Sequence, residues 1–379
     1  MEALQKSLEK VRKELHQHPE ISGEEYETQK KIKAFLTNNA SCTIVEVAQT
    51  GLVAVFEGKE NGKAIMLRAD IDALPIQEVN TFQHQSKNKG VSHKCGHDGH
   101  TAILLGVANR LTKYPIEKGK VLLLFQPSEE NGNGAEMILN DPFFKNTNID
   151  FAFALHNLPG FKKHEIVVKS GTFTSNVKSV AIQLNGKTAH AAEPEKGYNP
   201  ANAIATILTF AEKESKNLSD SPDFILITPV YVTMGEKAYG VSAGYGEVHF
   251  TLRSWDTKLI EEKRKKLEKF LAQLEQKHSL KIEASWFEEF YSNTNDDEAI
   301  SIIKKSAEKQ NLSINEIKTP FKWGEDFGLF TQKYKGAMFG LGAGKNSPAL
   351  HNPDYDFPDD ITMTGVHLFY SIAKEVLDL

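Results

Sequence analysis

The sequence predicts an α/β protein: a mostly parallel-sheet domain with helices on both faces, plus an inserted β-α-β-β-α-β unit. Three observations predict it. Short runs nearly continuous in Val, Ile, Leu and Phe alternate with helical patterns along the first half, as strands buried on both faces do. Midway the rhythm changes to strand, helix, strand, strand, helix, strand. The first rhythm then resumes, so the larger domain is interrupted by the smaller one. At 379 residues the chain is also longer than a single core usually organises.

Taken in order, residues 1–19 set Leu and Val among Lys, Arg, Glu and His at helical spacing, which predicts a helix and no signal-peptide-like apolar run. Residues 52–56, 63–69, 121–126 and 149–155 read as buried strands, with helices over 101–111 and 134–139 between them. Next come strand 177–185, helix 199–216, strands 224–233 and 247–253, helix 258–278 and strand 280–287. After residue 291 a helix, a short strand over 337–341 and a last helix over 360–377 follow. The domain boundaries this sets are 1–175 and 288–379 for the larger domain and 176–287 for the inserted one.

Composition excludes several classes. Hydrophobic residues at 40% and charged residues at 25% are ordinary for a chain that folds around a core. A formal net charge of -5 offers no cationic field for phosphate backbones, so no nucleic-acid partner is expected. The longest apolar runs are of strand length, too short to span a bilayer, and no membrane partner is expected. Cys42 and Cys95 are too few for a disulfide framework, which fits a reducing cytoplasm.

Four polar clusters follow predicted strands or turns, and in open α/β sheets ligands bind outside the carboxyl ends of strands. Arg68, Asp70 and Asp72 close the strand that begins at Lys63. His93, Cys95, His97, Asp98 and His100 stand just ahead of a helix. Glu129 and Glu130 follow the strand ending at Gln126, and His156 follows the strand ending at Leu155. Thiolate and imidazole both suit zinc and related divalent ions, and Gly96 and Gly99 let the backbone turn tightly around one. In a chain with 13 His and 2 Cys, such a density favours a metal site over a solvated turn. Cys42, alone in a polar segment, reads as structural. Adjacent acids usually mark a solvated face, but after an apolar strand Glu129 and Glu130 offer one ligand and one general base. Asp70 and Asp72 are ligands or groups that orient histidines. His351 lies after a glycine-rich stretch beyond the strand ending at Leu341. His190, in the inserted unit, is a loop residue or a group that closes over substrate.

Together these motifs resemble the M20 metallopeptidase and aminoacylase family, in the amidohydrolase branch that includes hippurate hydrolases, N-acetyl-diaminopimelate deacetylases and indole-acetyl-amino-acid hydrolases. The resemblance rests on RKELHQHPE with Glu24 and Thr28, RADIDALPI, HKCGHDGHTA, QPSEENGNGA, ALHNLP, GKTAHAAEP, GEDF and LHNPDYDF, and covers nearly the whole chain. It implies a metal-dependent amidohydrolase that cleaves N-acyl (N-acetyl or N-benzoyl) amino acids or short peptides, using two divalent ions per subunit: zinc, manganese, nickel or cobalt. It implies Cys95, His97, Glu130, His156 and His351 as metal ligands, with Cys95 bridging, Glu129 as catalytic base and His190 as the group that stabilises the oxyanion. It further implies that the inserted domain caps the site and forms a homodimer. The alternatives are a dipeptidase or aminopeptidase acting on free peptides, and a metal-binding relative without catalysis. Glu129 and the five ligands together argue against the last. The chain departs from the branch at residues 240–243, which read Gly, Val, Ser, Ala in place of an Asn-Val-Ile-Pro-like stretch. Residues 172–177 also lack an acidic residue usual there, so substrate contacts do not carry over from any one relative.

Overall fold

Four apolar runs become four adjacent parallel strands: Lys118–Gln126, Glu60–Asp70, Phe151–Pro159 and Lys335–Gly344. They are the centre of an eight-stranded sheet in the computed structural model, which describes residues 2–379. Because they run the same way, their carboxyl ends share one edge. The register sets Asp70 opposite Gln126, and His156 opposite Gly340. Outside them Gly51–Glu57, Thr43–Val47 and Ile166–Val168 add antiparallel pairings, and Ile314–Glu316 closes the far side.

The helix His97–Lys113 is buried almost all round, through Ala102, Ile103, Leu104, Leu105, Val107 and Ala108. A helix apolar on every face must be enclosed, and it packs against Glu2–Gln17 and Thr362–Val376. Each of its fully buried Ile, Leu and Val side chains contributes roughly 1.5–3 kcal/mol. Together with Ile65, Leu67, Leu123, Phe125, Phe153 and Phe339 they make the first core. This compact unit takes the chain up to Phe173, then Asn293–Lys318 and Glu325–Leu379.

The second unit is Thr174–Ser292 with Thr319–Gly324. Its four-stranded antiparallel sheet is ordered Ile225–Met234, Tyr245–Ser254, Asn176–Asn185, Lys281–Phe290. Along Tyr245–Ser254 burial alternates residue by residue, the period of a sheet covered on one face. The covering helices are Ala201–Glu214 and Thr257–His278, whose Ile204, Ile207, Leu267, Leu271 and Leu274 meet Val180, Ile182 and Leu184.

The structure departs from the sequence expectations in several elements. A helix at Tyr26–Asn39 and a strand at Thr43–Val47 were not anticipated; that helix buries only Thr28, Ile32 and Leu36, too sparse a stripe to stand out. The strand over Phe151–Pro159 runs past His156 instead of ending before it. The long helix starts at His97, so His97, Asp98 and His100 lie in its first turn and not ahead of it. Residues 319–324 belong with the second unit.

Candidate metal centre

Backbone geometry delivers the polar side chains to the shared strand edge. Gly96 has φ +92°, and a Cβ there would meet Asn157 Oδ1 at 2.5 Å, so only glycine lets the Cys95 loop turn directly into the His97 helix. Ser128 (φ 56°) turns the chain out of Lys118–Gln126 toward Glu129 and Glu130, and its N–H donates to Glu25 Oε1 at 2.8 Å. His351 also has positive φ, 65°, and its N–H donates to Lys94 O at 2.8 Å. A left-handed non-glycine residue costs of order 1–3 kcal/mol and persists where its surroundings fix it.

Cys95 lies at the middle. Its Sγ is 3.4 Å from His156 Nε2 and 3.4 Å from His351 Nε2. His97 Nε2 is 3.7 Å from Glu130 Oε1, and His351 Nε2 is 3.8 Å from Glu130 Oε2. The ligand atoms of Cys95, His97 and His156 lie within 4.8 Å of one another, as do those of Cys95, Glu130 and His351, so Cys95 belongs to both groups. The carboxylate of Glu129 stands in turn within 4.8 Å of His97 and Glu130.

The second nitrogen of His97 and that of His156 are engaged by the protein. His97 Nδ1 donates to Asp72 O and Oδ1 at 3.0 and 3.2 Å, and His156 Nδ1 donates to Asn157 O at 2.9 Å. Each bond fixes a tautomer that turns an Nε2 lone pair inward. Asp72 is held by Ser22 Oγ at 2.7 Å and by Glu130 N at 2.9 Å, which also aims Glu130. His100 has both nitrogens occupied, donating to Asp70 Oδ1 at 2.6 Å and accepting from Asn157 N at 3.1 Å, so it braces the site.

The chain matches the family described as Peptidase family M20/M25/M40 over residues 66–375, most of its length. The chain belongs to this family. It is 32% identical over 380 residues to the N-acetyl-L-cysteine deacetylase of Bacillus subtilis, covering 100% of this chain and 90% of that one. It is 30% identical to the hippurate hydrolase of Campylobacter jejuni, covering 99% and 97%. Among solved structures it resembles the YXEP protein of Bacillus subtilis, described as a dinuclear metal-binding peptidase of the M20 family, with TM-score 0.83, 28% identity and coverage of 100% and 99%.

The donor set of this M20 chain suits divalent ions. His97 Nε2 and Glu130 Oε1 are buried without a hydrogen-bond partner, although each would need one if no cation served it. Against the opposing effect of burial, Asp70, Asp72 and Glu130 raise His97 to about 10. Burial, then Glu130 and Glu129, push the Cys95 thiol well above its usual range. Burial, then Glu325, Glu130 and Asp326, likewise raise Glu129. Such a cluster holds protons where a cation would relieve the crowding of acids.

Sequence reasoning missed what balances those acids on the sheet side. Arg68, fully buried, donates from Nε to Gln126 Oε1 at 2.8 Å, from Nη1 to Asp70 Oδ2 at 2.6 Å, and from Nη2 to Glu325 Oε1 and Asp326 Oδ1, both at 2.9 Å. Asp326 also accepts from Ala135 N at 2.8 Å, and its own N–H reaches Glu129 Oε1 at 3.4 Å. An arginine inside an otherwise apolar strand and the paired acids of GEDF were the available signals. The grouping of His16, Asp98 and Asp356 is already neutralised by Arg12, which lies 2.7 Å from Asp356 and 3.4 Å from Asp98, so it is an ion-pair network. His190 lies in the second unit, exposed, where its Nδ1 accepts from Ala192 N at 3.0 Å. Its short strand pairs with Val241 and Ser242, so the departing segment at 240–243 is what braces it.

Proposed function

We propose that this chain is a metal-dependent amidohydrolase that cleaves N-acyl amino acids, with Cys95, His97, Glu130, His156 and His351 holding two divalent ions. The observation that carries this reading is the sharing of Cys95 between two ligand groups, beside a Glu129 that belongs to neither. Its mixed thiolate, imidazole and carboxylate donors suit zinc, manganese, nickel or cobalt. The relatives named above act on N-acetylcysteine and on hippurate, both N-acyl amino acids, which supports the substrate class. Bound there, the ions supply Lewis acidity and make water a nucleophile near neutral pH. Glu129 takes the proton of the attacking water and returns it to the leaving amine as the C–N bond breaks. His190, protonated on Nε2 because Nδ1 accepts from Ala192, donates to the carbonyl oxygen as charge builds on it.

Metal-stripped and reloaded protein, offered N-acetyl and N-benzoyl amino acids beside unblocked dipeptides, is expected to release amine from the acylated series alone. Turnover should vanish with a chelator and return with the ion. Dipeptide-only turnover would favour the peptidase alternative, and none at all a non-catalytic relative.

The proposed homodimer forms through the second unit. Ile225–Met234 is an edge strand whose Val230, Tyr231, Val232 and Met234 are 58, 50, 45 and 41% exposed. An apolar edge is a template for pairing with another chain. Light scattering is expected to give twice the 42.3 kDa chain mass, and the Tyr231→Asp/Val232→Lys variant the single mass; a monomeric wild type would end this reading. Among the described residues no helix is long and apolar enough to cross a membrane. A reducing cytoplasm, where Cys95 stays a thiol, is the proposed setting.

A further inference from the structure

The N-terminal helix Glu2–Gln17 buries Leu8, Val11, Arg12, Leu15 and His16, so its apolar stripe carries Arg12 and His16 inward. They enter a charged network that continues to the metal centre. His16 links Glu78, at 3.0 Å from Nε2, to Asp98, at 2.8 Å from Nδ1. Glu78 also accepts from Ser86 N at 2.6 Å and from the Lys94 ammonium. Lys94 is fully buried and immediately precedes Cys95. A buried ammonium persists only when paired and hydrogen-bonded.

Lys94 holds the segment that carries His351 at two points. Its Nζ donates to Tyr355 O at 2.7 Å, and its own carbonyl accepts from His351 N at 2.8 Å. Glu78 reinforces the same clamp through Asn80, whose Nδ2 bonds to Glu78 Oε1 and Asp354 O, both at 3.2 Å. His97 and His156 are oriented otherwise, by Asp72 and by the Asn157 carbonyl. Asp72 serves Glu130 as well, so of the five ligands it is His351 whose backbone hangs on Lys94.

We propose that Lys94, seated on Glu78, is a positioning residue for His351, and so for the ion that the Cys95, Glu130 and His351 group would hold; this rests on the two-ion reading above. Removing it loosens the His351 segment against Cys95 while His97 and His156 keep their supports. Loss of a group that orients ligands typically costs 10–100-fold in metal affinity.

The test is calorimetric titration of metal-stripped full-length protein with zinc or manganese chloride alone, for the wild type, Lys94→Met and Lys94→Met/Glu78→Gln. The double variant leaves no unpaired buried charge at this pair. Wild type is expected to take up two ions. The double variant should bind one with unchanged affinity and the other about 10–100-fold more weakly. Two wild-type affinities in that variant would overturn the proposal. Equal weakening of both ions, or failure of the double variant to fold, would also overturn it, since Lys94 would then serve the fold at large. Fewer than two ions in the wild type would instead defeat the two-ion reading itself.

Discussion

Glu129→Ala is expected to keep two bound ions and lose turnover by about 10²–10⁴-fold, the usual contribution of a positioned general base. Glu129 lies beside His97 and Glu130 but outside the two groups that share Cys95. Burial and the neighbouring acids raise its proton affinity, and the Asp326 N–H holds one oxygen in place. Its removal subtracts proton transfer and leaves the metal donors untouched. Elemental analysis beside a kcat measurement separates the outcomes. Normal turnover would refute the base assignment, and loss of metal would make Glu129 a ligand.

Arg68→Met is expected to destabilise the protein by about 3–5 kcal/mol, the cost of breaking a buried ion-pair network by removing one partner. Asp70, Glu325 and Asp326 would lose their common cation in a place from which water is excluded. The lost attraction matters less than the buried acids left without a cation, so Asp326→Asn added to Arg68→Met should recover part of the loss, a coupling that a double-mutant cycle reads directly. Denaturant unfolding of the four proteins gives the numbers. A change for Arg68→Met below about 1 kcal/mol, the scale of an exposed pair, would contradict the account.

The frame of the larger unit was legible because strands buried on both faces leave unbroken apolar runs, and because polar clusters stand where those runs stop. That was enough to bring Asp70, Glu129, Glu130 and His156 to one edge in advance. The M20 resemblance added His351, whose spacing alone argued little. What sequence could not show was long-range pairing. Glu325 meets Arg68 from 257 positions away, and Lys94 meets Glu78 inside a protein where lysines usually face water. The helix start at His97 was hidden because it depends on the φ of Gly96, and a glycine permits a turn without declaring one. The roles of Asp70, Asp72 and His100 also needed coordinates, since only hydrogen-bond partners distinguish a ligand from the group that orients it.

Anomalous diffraction from metal-loaded crystals tests the central claim most directly. Two peaks per chain are predicted, both in contact with Cys95 Sγ, one shared with His97 and His156 and the other with Glu130 and His351. No peak at Cys95, or ions held by His16, Asp98 and Asp356 instead, would contradict it.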